Sequence, residues 1–475
     1  MSDQAKFSTA EVDVFCEDIT KMAYRTAEEI FSLSNEEVKR LQLNTLRRRF
    51  SELGPKLNAV QQLIDLNKIT QISEINDIVP LLLPHTACKS YPLSLIDNCR
   101  FEHLNEWLND YTSFDLSSLD VAGCQSLDEW LQVVEKQTPV RVITSSGSSG
   151  KLSIIPRSMV ENKMIPAYFY AFYTPFRDEP GFKDPFSEGV YHVSPQLSSG
   201  RHSSALATRY IIEFAYNGDA SHYLTPTGEN STDLLWMTGR MRKAQADGTV
   251  EKLKKTKAWK RLGARVEELS AKRAANLEEF YCDMLKEMKG KTVALRMGPP
   301  FMRDMVLAAE KHGIDIDFAP DSFVTAAGGM KGAAALTEEE NEKIRKAIPF
   351  PLNDVYACSE LYGGLARKCS QGHYHSPPWL VGFVLDPNTG VPYPRAGTQT
   401  GRYAGFDLWA QTYWGGYITG DEVTINWDGG CDCGREGPYM HNTITRYTDK
   451  NGDDKITCQR TAAAVEEMMQ HLQNQ

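Results

Sequence analysis

The sequence has no long hydrophobic run. Its longest apolar stretch, "IVPLLLP" at 78–84, falls far short of the ~20 residues that a bilayer-spanning helix needs. It has no excess of positive charge either: 52 Lys and Arg face 62 Asp and Glu, a formal charge of −10. That balance argues against a nucleic-acid-binding surface as the main function. The opening "MSDQAKFSTAEVDVF" carries no basic segment followed by an apolar core, so no secretory signal is expected. The 10 cysteines are scattered through a long chain rather than packed into a small one. This implies a reduced, cytoplasmic protein in which a close Cys pair binds metal rather than forming a disulfide. Internal repeats and low-complexity segments are absent.

What is present is enough for a large core. The chain has 475 residues, 41% of them hydrophobic, which allows two or three domains. Residues 9–135 read as mainly helical, with capping boxes at Ser34-Asn-Glu-Glu37 and Ser126-Leu-Asp-Glu129. From 139 the texture changes to "VRVIT", a buried-strand pattern. Residues 235–290 read as long charged helices, and the basic run "EKLKKTKAWKRLGARVEEL" as a solvated helix face with its compensating glutamates nearby. After 291, "TVALRMG", "FMRDMVLAAEKHG" and "IDIDFAP" read as strand, helix and strand, followed by a helix opened by Thr337 and Glu340. That is the rhythm of a helix-covered sheet. From 355 to 457, Gly, aromatic and β-branched residues predict a strand-rich region, and an amphipathic helix is expected at 461–473.

Directly behind "VRVIT" comes Ser145-Ser-Gly-Ser-Ser-Gly150, then Lys151. A linker would sit in polar surroundings; this stretch follows a strand. Small residues let backbone N–H groups and hydroxyls converge on phosphate oxygens. The G-x-x-x-x-G-K-[ST] phosphate loop does not fit, because Gly147 and Gly150 are too close and Leu152 follows the lysine.

Two later stretches, "YACSE" at 356–360 and "YITGD" at 417–421, complete a series. In this order the three motifs resemble those of the adenylate-forming (ANL) superfamily: acyl-CoA synthetases, nonribosomal adenylation domains and luciferases. Ala357 stands where the superfamily's adenine motif has glycine. Within the superfamily the chain resembles the phenylacetate–CoA ligases and the acyl-protein synthetases of bacterial luminescence. "AAGGMKG" at 326–332 looks like the turn facing acyl group and adenine, "CDCGREGP" at 431–438 like the C-x-C-G-R element of the ligases, and "RYTDKNGDDKIT" at 446–457 like the interdomain hinge. The resemblance covers 140–457.

The resemblance implies an α/β fold: an ANL-type large domain of helix-flanked sheets with a β-rich region, mostly lacking the usual small C-terminal domain. The expected division is a helical segment at 1–138, an adenylate-forming core at 139–445, and a hinge remnant with terminal helix at 446–475. It implies attack of a carboxylate on the α-phosphate of ATP, with Mg2+, giving acyl-adenylate and pyrophosphate. By resemblance Ser145, Ser146, Gly147, Ser148, Ser149 and Gly150 hold the outer phosphates, and Lys151 can reach them. Tyr356 stacks on adenine, Ser359 touches the α-phosphate, Glu360 holds Mg2+, Asp421 accepts the ribose hydroxyls, and Arg446 lies near ribose and phosphates. Gly328 and Gly329 face the substrates, and His192 lies beside the acyl pocket. Taken singly, Tyr356 reads equally as a core aromatic, Glu360 as a surface carboxylate, Asp421 as a turn residue and His192 as a strand-end histidine.

Cys369, His373 and His375 in "CSQGHYH", with Cys431 and Cys433, offer two or more thiolates and one or two imidazoles. That is a tetrahedral donor set for a structural Zn2+; the other reading is reduced cysteines in a Gly-rich turn. In the superfamily a small domain normally follows the hinge and carries a catalytic lysine. Here only a short tail follows, so that lysine is expected to be missing unless Lys331, Lys455 or a separate chain substitutes. The expected function is activation of an apolar or aromatic acid, suggested by "NKMIPAYFYAFYT", with transfer to CoA, an amine or a carrier-protein thiol. The alternatives are an acyl-protein synthetase with Cys458 as acyl acceptor, and a nucleotide-binding module without turnover.

Overall fold

The computed structural model describes residues 7–145, 150–174, 176, 184–228, 231–327, 336–361 and 366–448. The tail beyond 448, with the expected helix at 461–473, Lys455 and Cys458, lies outside them.

The N-terminal segment is helical as its caps predict. Ser34 and Glu37 cap the helix Asn35–Leu53 reciprocally, each accepting a backbone N–H of the other. At Ser126 only half of the expected box forms: its hydroxyl accepts from the Glu129 amide at 3.1 Å. The Glu129 carboxylate instead reaches one residue further, to the Gln125 amide at 2.6 Å. The helical segment is fastened to the β-rich region by polar side chains that satisfy distant carbonyls. Gln42 donates to Pro378 O at 3.0 Å, and Arg49 donates twice to Leu408 O, at 3.2 and 3.0 Å. One continuous hydrophobic core runs from Val12 through both regions to Met440.

Among the described residues a sheet of 13 strands forms the body. Its parallel part comprises β4 (Val190–Val193), β5 (Tyr223–Leu224), β6 (Thr292–Arg296), β7 (Phe323–Ala327) and β8 (Leu352–Tyr356), in the order β5-β4-β6-β7-β8. From β8 onward the neighbours along the sheet are antiparallel: β9 (Ala366–Lys368), β10 (Tyr374–His375), β14 (Tyr439–Met440), β13 (Gly416–Asn426), β12 (Thr398–Asp407) and β11 (Leu380–Leu385). Two short strands join β13 from the side, β1 (Leu83–Pro84) in parallel and β15 (Thr445–Arg446) antiparallel. A separate hairpin is made by β2 (Ile143–Thr144) and β3 (Ile154–Ile155). The apolar run at 78–84 is thus spent on a 3-10 turn and on β1, which lies along Tyr417 and Ile418.

The parallel strands are buried on both faces, and the period of two decides which residue goes where. Ala294 and Phe323 point to the main core, whereas Val293, Leu295 and Val324 point to a second core beneath the helices Lys257–Glu287 and Pro299–His312. The charged run lies on the helices Val250–Lys254 and Lys257–Glu287, where Leu253, Ala258 and Val266 are buried and most of the charges are exposed. The expected strand at "IDIDFAP" is not one; the strand is "FVTAA", a few residues later. A central position between β6 and β8 would carry Asp315 and Asp317 into a covered sheet, while Phe323–Ala327 carries no charge there. The Ile-Asp segment instead runs past the start of β6, where Gly290 N donates to Asp317 O and Ala319 N to Lys291 O. Among the described residues no helix is long and apolar enough to cross a membrane.

Candidate active site

The Ser/Gly stretch falls, in sequence, between the two strands of the β2–β3 hairpin. Residues 146–149 lie outside the described residues, but both ends of the loop are placed. Ser145 Oγ accepts from the Ser153 amide at 2.9 Å, and Ser145 N donates to Ser153 O at 3.3 Å. Ser153 Oγ in turn donates to Glu360 Oε1 at 3.1 Å, with both side chains buried. The loop base therefore sits against the glutamate of "YACSE", across 207 residues of sequence. Gly150 has φ +81°, and a Cβ there would meet Lys243 Cβ at 2.7 Å, so only glycine permits this approach to the helix Thr232–Ala246. Strand β2 is held from behind by Arg201. Its carbonyl accepts from Thr144 N at 2.8 Å, while its guanidinium grips Glu135 at 2.9 Å and Asp128 at 3.1 Å.

Lys151 leaves the loop with its ammonium 4.5 Å from the centre of the Tyr91 ring. Burial, reinforced by the charges of Arg240 and Lys89, pushes its pKa down to about 8. Arg240 is itself held by Asp97 at 3.3 Å.

Tyr356 ends β8, the last parallel strand, at the carboxyl edge where open α/β sheets bind ligands. Its hydroxyl donates to Asp421 Oδ2 at 2.7 Å, and its ring meets Tyr403 edge-on at 5.6 Å. Burial, then the Asp421 charge, hold the phenol well above its ordinary pKa. Ser359 heads the short turn Ser359–Leu361 that carries Glu360. That turn packs on β12 because position 405 is glycine: a Cβ there would meet Leu361 Cδ1 at 2.6 Å.

Asp421 owes its direction to a bulge. Register runs Arg402 to Glu422 and then Ala404 to Ile418, so Thr419, Gly420 and Asp421 all oppose Tyr403. A bulge leaves backbone groups unpaired and re-aims side chains. Thr419 repairs it, donating its hydroxyl to Tyr403 O at 2.9 Å and accepting from Asp421 N at 3.2 Å. Arg402 donates to Thr419 O at 3.0 Å. The T-G-D sequence is thus hydroxyl, flexible link and aimed carboxylate. Arg446, the Cα partner of Asp421 on β15, places Nε 3.3 Å from Asp421 Oδ1 and is itself 67% exposed.

His192 lies on β4, fully buried, with its Nε2 2.8 Å from Pro185 O. It is stacked on Tyr223 at 5.2 Å and flanked by Phe186 and Tyr173 at 5.9 Å. Burial pushes its pKa down to about 3, so it is a neutral ring in an aromatic wall. The helix Ile165–Tyr173 divides its aromatics: Tyr168 packs on Trp409, whereas Tyr173 faces this wall. Gly328, Gly329 and Lys331 lie outside the described residues.

Away from the loop, Cys369, His375, Cys431 and Cys433 bring four donor atoms within 4.8 Å of one another, all on buried residues. Cys369 Sγ and Cys431 Sγ are 3.8 Å apart, and Cys433 Sγ is 3.4 Å from His375 Nε2. His373 stands just outside this group, Nδ1 3.3 Å from Cys431 Sγ and its ring stacked on Tyr439 at 4.3 Å.

Sequence reasoning missed Ser153, Tyr403 and Thr419 as participants. Ser153 is the one whose signal was visible, a hydroxyl set in the apolar run "LSIIP".

No protein-family model and no curated protein matches the sequence. Among solved structures, the chain is similar to 2-hydroxyisobutyryl-CoA ligase in an open conformation with 2-HIB-AMP and CoA: TM-score 0.53 and 11% identity, covering 88% of this chain and 76% of that one. The same ligase in the thioesterification state gives 0.51 and 11%, over 87% and 69% of the two chains. In the postadenylation state with R3-HIB-AMP it gives 0.50 and 11%, over 88% and 69%. The chain therefore shares the fold of this CoA ligase, in line with the fold expected from the three motifs.

Proposed function

We propose that this chain, with the fold of the adenylate-forming ligases, activates a carboxylic acid with ATP. The observation that supports it best is the meeting of segments far apart in sequence: Ser145 on Ser153 and Ser153 on Glu360, and Tyr356 and Arg446 on Asp421. A carboxylate oxygen of the acid attacks the α-phosphorus, and the bond from that phosphorus to the bridging oxygen breaks. Pyrophosphate leaves with the bond's electron pair. No proton has to move, so the work is alignment and charge neutralisation.

In this reading the Ser/Gly loop, with Lys151, Lys89 and Arg240 at its exit, receives the outer phosphates. Asp421 accepts from the ribose hydroxyls, Tyr356 lies against adenine, and Arg446 supplies charge at the nucleotide's edge. Glu360, a hard oxygen donor, is the residue that would hold Mg2+, and the ion supplies neutralising charge at the phosphates. The aromatic wall around His192 favours an apolar or aromatic acid. The acyl group then passes to CoA, an amine or a carrier-protein thiol, with residues 139–445 as the adenylating core. The unpaired cysteines of the described residues fit a reducing cytosol.

The test is exchange of labelled pyrophosphate into ATP, dependent on added acid and on Mg2+, over a panel of aryl and fatty acids. Exchange reports adenylation without knowledge of the acceptor. Exchange with at least one apolar acid is expected; ATP binding without exchange under any acid would overturn adenylation and leave a nucleotide-binding module.

A further inference from the structure

We infer that Cys369, His375, Cys431 and Cys433 hold one structural Zn2+, and that this ion ties together the short strands linking Tyr356 to Asp421. A tetrahedral zinc with Zn–S near 2.3 Å and Zn–N near 2.0–2.1 Å has S···S edges of about 3.8 Å and S···N edges of about 3.6 Å. The Cys369–Cys431 separation is 3.8 Å and the Cys433–His375 separation 3.4 Å. These two of the six donor–donor edges match a zinc tetrahedron, all four donors lie within 4.8 Å of one another, and 3.8 Å is far from a disulfide. Three thiols and an imidazole form a soft, closed donor set, which selects zinc over magnesium or calcium.

The surroundings are those of a ligand cage. The Arg435 amide points at Cys433 Sγ at 3.5 Å. Tight turns follow two of the cysteines: Gly372 N donates to Cys369 O at 2.9 Å and Gly434 N to Cys431 O at 3.0 Å. Both glycines have positive φ, 78° and 82°. His373 bonds Cys431 from outside the four, the place of an outer-shell partner that orients a ligand.

The need for an ion follows from the topology. Between β8, which ends in Tyr356, and β13, which carries Asp421, the sheet passes through β9, β10 and β14, of three, two and two residues. The three cysteines form a small buried cluster of their own, with Tyr439 packed against it, apart from both large cores. Each of these strands gives the main core a single buried side chain, Ala366, Tyr374 and Met440, so little apolar area holds their register. Cys369 follows β9 directly, His375 lies on β10, and Cys431 and Cys433 sit between β13 and β14. One ion bound to all four fixes the three narrow strands at once. Its loss frees β8 and β13 to shift apart, and with them the 2.7 Å bond from Tyr356 to Asp421.

Metal analysis of the full chain purified without added zinc tests the site. Close to one equivalent per chain is expected, lost in Cys431→Ser/Cys433→Ser and retained, at roughly 10- to 100-fold weaker affinity, in His373→Ala. Zinc retained by the double variant, or wild-type protein that takes up none on titration, overturns the proposal. Because that variant can fail to fold, hydrogen exchange on the wild-type chain with and without a chelator gives a second answer. Amides of β9, β10 and β14 and of residues 356 and 421 should exchange at least tenfold faster after chelation, those of β4, β6 and β7 should not change, and zinc should restore protection. Unchanged exchange, or a uniform rise, overturns the coupling. Neither readout uses ATP or an acid, so a failure of adenylation leaves both standing.

Discussion

Tyr356 and Asp421, 65 residues apart, are joined by a hydroxyl–carboxylate hydrogen bond of 2.7 Å. In the proposed function that bond occupies the acceptor intended for ribose and holds the aromatic ring in place. The two residues therefore separate by substitution. Tyr356→Phe should keep ATP binding within a few-fold, whereas Tyr356→Ala should lose about 1–3 kcal/mol of stacking. Asp421→Asn should weaken ATP binding by about 1.5–3 kcal/mol, roughly 10- to 100-fold, through loss of charge-assisted hydrogen bonds. Calorimetric titration with ATP measures all three, and equal losses in the Phe and Ala variants would contradict the stacking role.

Glu360 and Ser153 share one hydrogen bond but not one role. Glu360→Gln should reduce Mg2+-dependent exchange by about 10²–10³, the scale of a lost charge-stabilising contact. Ser153→Ala should cost far less, because it removes only the hydroxyl that orients Glu360. A magnesium titration of the exchange rate separates the two: a raised Mg2+ requirement is expected of the first, and a near-normal one of the second.

Lys151 makes the proposed phosphate site pH-dependent. Its pKa is lowered from 10.5 to about 8, so its charge is present below about pH 8 and lost as pH rises through it. ATP binding should weaken over that window. Bound phosphate favours the charged form, so the fall should move to higher pH at saturating ATP. Lys151→Ala should abolish this limb of the profile, and Lys151→Arg should keep the charge and flatten it. A pH series of ATP dissociation constants decides; an unchanged limb in both variants would assign it elsewhere.

Thr419 repairs the bulge that aims Asp421, so Thr419→Val, nearly the same shape, leaves Tyr403 O and Asp421 N without this partner. The expected cost is about 1–3 kcal/mol for each buried group left unsatisfied. Denaturant unfolding should show the loss of stability, and ATP binding should fall with it. Thr419→Ser, which keeps the hydroxyl, should restore both; failure of the serine to rescue would rule out the hydroxyl as the cause.

What the sequence determined by itself were the local decisions. Caps at Ser34 and Thr337 bond groups three residues apart, so they are legible in any window that contains them. The strand–loop transition at 143–150 and the donor types at 369–375 and 431–433 are also local. The motifs named Tyr356, Glu360 and Asp421, because side-chain chemistry does not depend on fold. The strand between β6 and β8 was misplaced onto "IDIDFAP" for the complementary reason. Alternating Ile and Asp looks like a half-buried strand, and only the covering of both faces by helices makes uncharged "FVTAA" the better occupant. That Ser153 reaches Glu360, that a three-residue bulge turns Asp421 toward Tyr356, and that His375 rather than His373 completes the four-donor group were decided by tertiary structure alone. Each depends on strand register and on the order β8-β9-β10-β14-β13, which brings residues far apart in the chain within hydrogen-bonding distance. Register is set by how whole strands pack, and no single window of sequence contains that information.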